Sequence, residues 1–594
     1  MTKTGASEPW RSTRRSLHSR RRAPLGALSL VAALMFAGAA GAAPTASVEA
    51  MPHLRQVGDG AQLIVDGKPF LMLGGELANS SASSLEHMAP IWGRMRDLGA
   101  NTLVLPVSWE QIEPQPGKFD FSVTDGLLRG AREHNLKLVL LWFGSWKNSM
   151  SSYAPAWVKR DVAQFPRART QDGEAQEILT PYAEANVAAD ARAFSALMRH
   201  LAEVDGAKHT VLMVQVENEM GMIPVVRDYG PQADAAFHAE VPAELIAYMT
   251  AHREDLEPGL RQAWEAHGAK THGDWVELFG DGTQTEEYFQ AWGFATYTQK
   301  VAQAGKAAYP LPFYVNAALI RPGKRPGQYP SGGPLPHLYD IWKAATPSVD
   351  FLSPDIYFSN FEEWAARYVR PGNPLFIPEA GRAEWAQTPV NALVSVGKLH
   401  TMGFNPFSID TMAPEKAAGL RETYADLNVL APYVLADPTK VTAVAAPVSY
   451  DGVLNPAPQA LRIGRYQLEV SFPGGPTATT LVAAPGAPGA LGAPDGQSGR
   501  PPPMEARRSY GAMIIQLAEN HFLIIGTGCE IRFANPPGPG LHRVGIDTII
   551  EKKVVDGALI DGRRLNGDES NQGRIVRFDP DHLSIQDVSL YEYQ

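Results

Sequence analysis

From about residue 59 to residue 410 the chain repeats one plan: a short apolar run rich in β-branched or aromatic residues, a polar or special residue, then a longer stretch with helical spacing. The runs are Pro69–Leu77, Asn101–Trp109, Lys137–Trp146, Val211–Glu219, Pro312–Leu319, Asp350–Tyr357, Pro374–Gly381 and Gly403–Asp410. Near-continuous apolar strands need cover on both faces, which parallel strands obtain from their own crossover helices. Eight of them match a closed barrel, so the expected fold class is α/β, a (β/α)8 TIM barrel. Amphipathic stretches at Met88–Leu98, Asp125–Glu133 and Asp190–Val204 are crossover-helix candidates. A charged, partly helical insertion from Tyr229 to Trp292 lengthens one strand-to-helix connection, on the side where barrel active sites open.

After Ala436 the texture changes to proline, glycine and short alternating segments such as Gln467–Phe472, Gly511–Leu517, His521–Ile525 and Arg574–Phe578. This predicts a smaller β-rich C-terminal domain, sandwich or barrel, over residues 436–594, behind a catalytic barrel over 43–435. Residues 473–505, with eight prolines, read as a long loop. The beginning of the chain carries Arg11, Arg14, Arg15, Arg20, Arg21 and Arg22, then an apolar stretch from Leu25 to Ala40 and a small-residue site at Ala40-Gly41-Ala42. That order predicts a signal peptide over residues 1–42 and a periplasmic or secreted protein. The apolar stretch is shorter than the roughly 20 residues that cross a bilayer, so no stable membrane span is expected.

Without residues 1–42 the chain has 46 Lys and Arg against 62 Asp and Glu, a net charge of −16. A surface that grips phosphates by counterion release needs the opposite sign, so nucleic acid is not an expected partner. The single cysteine, Cys529, excludes an internal disulfide framework and cysteine-rich metal sites. No histidine–carboxylate cluster has ligand spacing, and neither a Gly-x-Gly-x-x-Gly turn after a strand nor a Gly-x-Ser-x-Gly elbow occurs. Neither a metal nor another cofactor is expected, and the chemistry falls to carboxylates.

Reactive groups of such a barrel sit at the carboxyl ends of its strands. Two of the runs end in a glutamate there: Gln215-Val216-Glu217-Asn218-Glu219-Met220-Gly221 and Phe376-Ile377-Pro378-Glu379-Ala380-Gly381. A carboxylate on an apolar strand is costly unless it is paired, neutralised or used. Two that face each other across the mouth suit glycoside hydrolysis, in which one carboxyl donates a proton to the leaving oxygen and the other stays ionised.

The pair of motifs resembles the clan of (β/α)8 retaining glycosidases that includes β-galactosidases of families 35 and 42. Gln215 to Gly221 is similar to the family 35 acid/base word, and Trp109-Glu110-Gln111-Ile112-Glu113-Pro114-Gln115-Pro116-Gly117-Lys118-Phe119-Asp120-Phe121 resembles the loop after the second strand in both families. The resemblance implies Glu219 as general acid/base, Glu379 as nucleophile and Asn218 as a hydrogen-bond partner of the sugar 2-hydroxyl. It covers about residues 55–435, and the region beyond resembles the β-rich domain that accompanies some bacterial family 35-like enzymes. The chain departs from the pattern after the third strand, where Leu141-Trp142-Phe143-Gly144-Ser145-Trp146-Lys147-Asn148 replaces a Gly-Pro-Tyr-Ile-Cys-Ala-Glu-Trp-like word, and around the nucleophile, where Pro378-Glu379-Ala380 replaces Ser-Glu-Phe/Tyr.

Aromatic residues at the expected mouth are Trp109, Trp142, Trp146, Tyr357 and Trp385, which would either pack on sugar C–H faces or fill space under a loop. Glu76, at the end of the first run, either accepts sugar hydroxyls or bridges to a neighbouring arginine, with Asn316 and Asp355 as similar candidates. In a regular strand Glu217 would share a face with Glu219, as a supporting charge or as the acid itself. The function implied by the resemblance is an exo-acting, retaining β-galactosidase on plant polysaccharide or oligosaccharide side chains, so the expected partner is a carbohydrate substrate. The alternatives are a glycosidase of the same clan with another specificity and a non-catalytic carbohydrate-binding barrel.

Overall fold

Strands apolar on both faces cannot leave either face to water, and the chain answers by rolling them into a ring. The computed structural model describes residues 51–475, 508–535 and 543–593. Residues 1–42, expected to be a signal peptide, and most of the loop expected at 473–505 lie outside these. Seven strands form one sheet in the order Gly403–Phe404, Met72–Glu76, Thr102–Ser108, Lys137–Lys147, Val211–Asn218, Phe313–Ala318 and Phe351–Asp355. Every pairing in it is parallel.

The expected strand Pro374–Gly381 is not a regular one. It closes the ring through isolated parallel bridges, Asp355 with Glu379 and Ile377 with Phe404. Its hydrogen bonds run from Ile356 N to the Glu379 carbonyl (2.8 Å), Ile377 N to Gly403 (3.1 Å) and Met402 N to Leu375 (2.8 Å). Pro374 and Pro378 remove two N–H donors from this segment, which explains why no continuous ladder forms. Pro406 acts likewise in Gly403–Asp410, which keeps two strand residues and then a bridge at Phe407.

Inside the ring Met72, Val104, Val139, Leu141, Met213, Tyr314, Phe351 and Phe376 form a closed core. Tyr314 stacks on Phe351 with centroids 5.4 Å apart and meets Phe376 edge-on at 5.1 Å. Leu63 and Val65 join that core from an antiparallel sheet of His53–Val57, Gly60–Val65 and Lys68–Phe70. Packed side chains thus fill the barrel, and only the mouth at the strand carboxyl ends is left for chemistry. The crossover helices Leu85–Asp97, Ser122–Glu133 and Glu184–Asp205 bury their apolar stripes against the outside of the sheet. The insertion folds into the helices Pro231–Phe237, Ala243–Ala251, Pro258–Ala266 and Trp275–Phe279.

Beyond Val441 the strands are antiparallel, in a six-stranded and a four-stranded sheet. Ile514, Phe522, Ile524 and Val588 from the first meet Tyr466, Leu468, Ile531 and Phe533 from the second, a two-sheet sandwich core. Cys529 belongs to that core, where burial pushes its thiol well above the usual range. The alternate residues Met513, Ile515, Leu523 and Ile525 turn the other way and pack with Leu393, Val396, Leu427 and Leu430 of the helices Thr388–Gly397 and Ala418–Ala436. Gly397 lets helix and sheet approach: a Cβ there would stand 2.6 Å from Met513 Cγ and 2.9 Å from the Ala443 Cβ. Gly397→Val is therefore expected to destabilise the protein by about 1–3 kcal/mol through overpacking. Urea unfolding checks this, and a midpoint equal to that of the parent would show that the two layers have slack at this point.

Candidate active site

Five barrel strands bring polar residues to one end. Glu76 closes Met72–Glu76, Lys147 closes Lys137–Lys147, Asn218 closes Val211–Asn218 with Glu219 next, Asn316 lies in Phe313–Ala318, and Asp355 closes Phe351–Asp355. The irregular closing segment adds Glu379. Carboxyl oxygens of Glu219, Asp355 and Glu379 all lie within 4.8 Å of one another. Burial is nearly complete, with Glu76 0%, Asp355 2%, Glu379 4% and Glu219 6% exposed. These three carboxyls are also the one group among the described residues whose spacing suits a cation.

The backbone at the end of Val211–Asn218 decides which glutamate faces the mouth. Glu217 (φ +63°) and Glu219 (φ +44°) both take left-handed conformations, which cost a β-carbon-bearing residue on the order of 1–3 kcal/mol. Regular alternation is thereby broken, and the expectation that the two would share a face is corrected. Glu217 is wholly buried, accepts from Trp146 N (2.8 Å) and faces Asp190 of the helix Glu184–Asp205. Asp190 in turn accepts from Trp142 Nε1 (2.8 Å), Ser145 N (3.0 Å) and Ser145 Oγ (2.6 Å). Burial, and then the neighbouring acid, push the Glu217 carboxyl well up.

Glu219 turns the other way. Its N–H donates to Asn316 Oδ1 (3.0 Å), its carbonyl accepts from Ser149 N (3.1 Å), and its Oε2 accepts from Asn148 Nδ2. Asn316 Nδ2 donates to Asp355 Oδ2 (2.6 Å), so one amide ties the strand carrying Glu219 to the strand carrying Asp355. The side-chain oxygen and nitrogen of Asn218 are buried with no protein partner, which suits a residue that meets a ligand hydroxyl. Glu76 lies against the Glu379 carboxyl, with which it can share a proton, and its oxygens meet no other donor among the described residues.

Glu379 accepts from the Tyr357 hydroxyl. Its pKa is pushed up to about 7, first by burial and then by the charge of Glu219, with Lys147 and the Tyr357 hydroxyl pulling the other way. Arg382 forms its ion pair with Glu384 (3.5 Å) and not with Glu379. Burial, followed by the other carboxylates, also holds Glu76 and Asp355 well above the usual range. Because the Glu379 pKa lies above its unfolded value near 4.5, its contribution to stability is complete below pH 4.5 and lost as pH rises through 7. A neutral glutamine escapes that loss. Glu379→Gln is expected to gain on the order of 3 kcal/mol over the parent between pH 4.5 and pH 8. Urea midpoints at both pH values test it, and a gap that does not widen with pH would contradict the assignment.

The aromatic expectations divide. Tyr357 and Trp385 are half-buried beside Glu379, with rings 6.3 Å apart and nearly perpendicular. Phe407, which sequence reasoning missed, meets Tyr357 at the same distance. Trp109 and Trp142 are corrected: neither exposes any surface to a ligand. Trp109 donates to Glu113 (3.0 Å) and packs edge-on to Trp157, while Trp142 donates to Asp190 and packs on Phe194. Trp146 is buried too, with its N–H on the Leu179 carbonyl (3.1 Å). Their role is to build the wall behind the site. Lys147 and Asn148 were also missed, although a lysine closing an apolar strand was a visible signal.

A (β/α)8 ring with paired carboxyls at the ends of its fourth strand and its closing segment is the architecture of a glycoside hydrolase. Residues 62–276 match the model for glycosyl hydrolases family 35, and residues 420–577 match a domain of unknown function, DUF5597. Each match covers less than half of the chain, and the family 35 match includes Glu219 and ends before Glu379. A search of curated proteins found no match.

Solved structures similar to this chain include a β-galactosidase from the Antarctic haloarchaeon Halorubrum lacusprofundi, at 17% identity, 55% of this chain, 45% of that one and a TM-score of 0.34. A β-galactosidase from the psychrophilic Marinomonas ef1 matches at 14% identity, 61% of this chain, 60% of that one and a TM-score of 0.40. An endo-1,4-β-mannanase from Rhizomucor miehei matches at 14% identity, 60% of this chain, 89% of that one and a TM-score of 0.37. The match therefore spans about half of the length of the two galactosidases.

Proposed function

We propose that the protein is an exo-acting, retaining β-glycosidase and that galactose is the sugar it releases from plant polysaccharide or oligosaccharide side chains. The observation that carries the mechanism is the approach of the Glu219 and Glu379 carboxyl oxygens to within 4.8 Å. Inverting enzymes separate their carboxyls by about 6.5–9.5 Å to admit a water, whereas retaining ones hold them about 5–5.5 Å apart. An approach this close supports the reading in which the second carboxylate is itself the attacking group.

Glu379 attacks the anomeric carbon while Glu219 protonates the departing oxygen, leaving a covalent glycosyl–enzyme ester. Glu219, now ionised, takes a proton from water, and the hydroxide so formed displaces Glu379. Asn218 meets the sugar beside the anomeric carbon, and Tyr357 with Trp385 and Phe407 offers apolar edges to the ring. Galactose is supported by the Gln215–Gly221 word and by the family 35 match.

A panel of nitrophenyl β-glycosides, with the first-formed anomer followed by proton NMR, tests both levels. β-Galactose as the initial product is expected. An initial α-anomer would remove retention, whereas faster turnover of another β-glycoside would change the sugar and leave the mechanism standing. We also propose export to the periplasm or medium with loss of residues 1–42, which amino-terminal sequencing of the exported protein checks.

A further inference from the structure

One short segment holds both glutamates at the end of the fourth strand, and it is one of the two places where the chain departs from the family 35 pattern. Trp146 N holds Glu217, Asn148 Nδ2 holds Glu219, and Lys147 stands between them. Lys147 is bridged in parallel to Asn218 through the backbone, is 6% exposed, and carries its Nζ 5.3 Å from the centre of the Phe143 ring, a member of the barrel's interior core. The Lys147 ammonium forms no ion pair within contact distance among the described residues, yet it acts across the cavity on Glu76, Asp355 and Glu379.

A buried ammonium needs an anion, and a group of buried carboxyls cannot all be ionised. With a single ammonium among these buried carboxyls, its charge favours ionisation of a carboxyl it faces, against burial and the neighbouring acids. Glu379 is faced by Glu76 from the first strand, Lys147 from the third, Glu219 after the fourth, and Asp355 and Tyr357 from the sixth and the loop behind it. Of the four carboxyls it is the one that accepts the Tyr357 hydroxyl, a donor that favours its charged form. From this arrangement we propose that Lys147 is a positioning residue that keeps Glu379 in its ionised, attacking state. The proposal rests on the retaining-glycosidase reading.

The consequence is a pH profile. The acid limb of kcat/KM reports ionisation of the nucleophile in the free enzyme. Lys147→Met is expected to move that limb upward by about one unit, the lower end of what one opposite charge does to a carboxyl. Activity then falls about tenfold on the acid side and recovers as the pH is raised. Lys147→Arg retains the charge and keeps the limb in place. Should the methionine variant not fold, Lys147→Gln carries the same expectation.

A limb unmoved in the neutral variants, or moved as far by arginine as by methionine, overturns the proposal. A second readout needs no turnover: the stability deficit of Lys147→Met should widen between pH 5 and pH 8, and should widen clearly less in a Glu379→Gln background; equal widening in both backgrounds would overturn the pairing of Lys147 with Glu379. If no glycoside is hydrolysed, the glycosidase reading fails, while the stability series still decides whether Lys147 and Glu379 are coupled. A pH-independent deficit in both backgrounds would refute the coupling.

Discussion

Glu379→Gln is expected to lose on the order of 10⁵-fold in turnover, the scale on which removal of an enzymic nucleophile acts, while the protein stays folded. The amide keeps the shape of the side chain, can still accept from the Tyr357 hydroxyl, and relieves the crowding of four acids around one ammonium. What disappears is the carboxylate proposed to form the glycosyl ester. The variant should show no burst of nitrophenol and unchanged far-ultraviolet circular dichroism. Activity within about tenfold of the parent would mean that another carboxyl of the site, such as Asp355, does the attacking.

Glu219→Ala should lose about 10²–10⁴-fold on glycosides with alkyl leaving groups, the usual worth of a placed proton donor. On dinitrophenyl glycosides, whose leaving group departs without a proton, the first step should be nearly spared and the ester should accumulate. Azide, which needs no general base, should then restore turnover and give a β-glycosyl azide. Equal losses on both leaving groups, with no azide effect, would remove Glu219 from the acid/base role. The backbone bond from Glu219 N to Asn316 does not depend on the side chain, so the strand end should hold its position in the variant.

The barrel was legible because burial on both faces writes itself into composition: each of the eight apolar runs became a member of the ring, and the helices at Leu85–Asp97, Ser122–Glu133 and Glu184–Asp205 followed the 3.6-residue stripe. Pairing the ends of Val211–Asn218 and Pro374–Gly381 was likewise readable, since carboxylates are not left on buried strands without cause. Orientation was not. Trp109, Trp142 and Trp146 read as sugar platforms because they sit at strand ends, yet each N–H is engaged by a protein acceptor behind the site.

Chain order settled the ring of parallel strands, a β-rich C-terminal region left open between sandwich and barrel, and the two glutamates at strand ends, because periodicity and the cost of burying charge are local properties. Tertiary contact alone decided that Glu217 turns to Asp190 while Glu219 turns to the mouth, and that Lys147 and Asn148 join the site. Those choices depend on two left-handed residues and on groups contributed by several different strands. A pattern confined to one strand carries no trace of them.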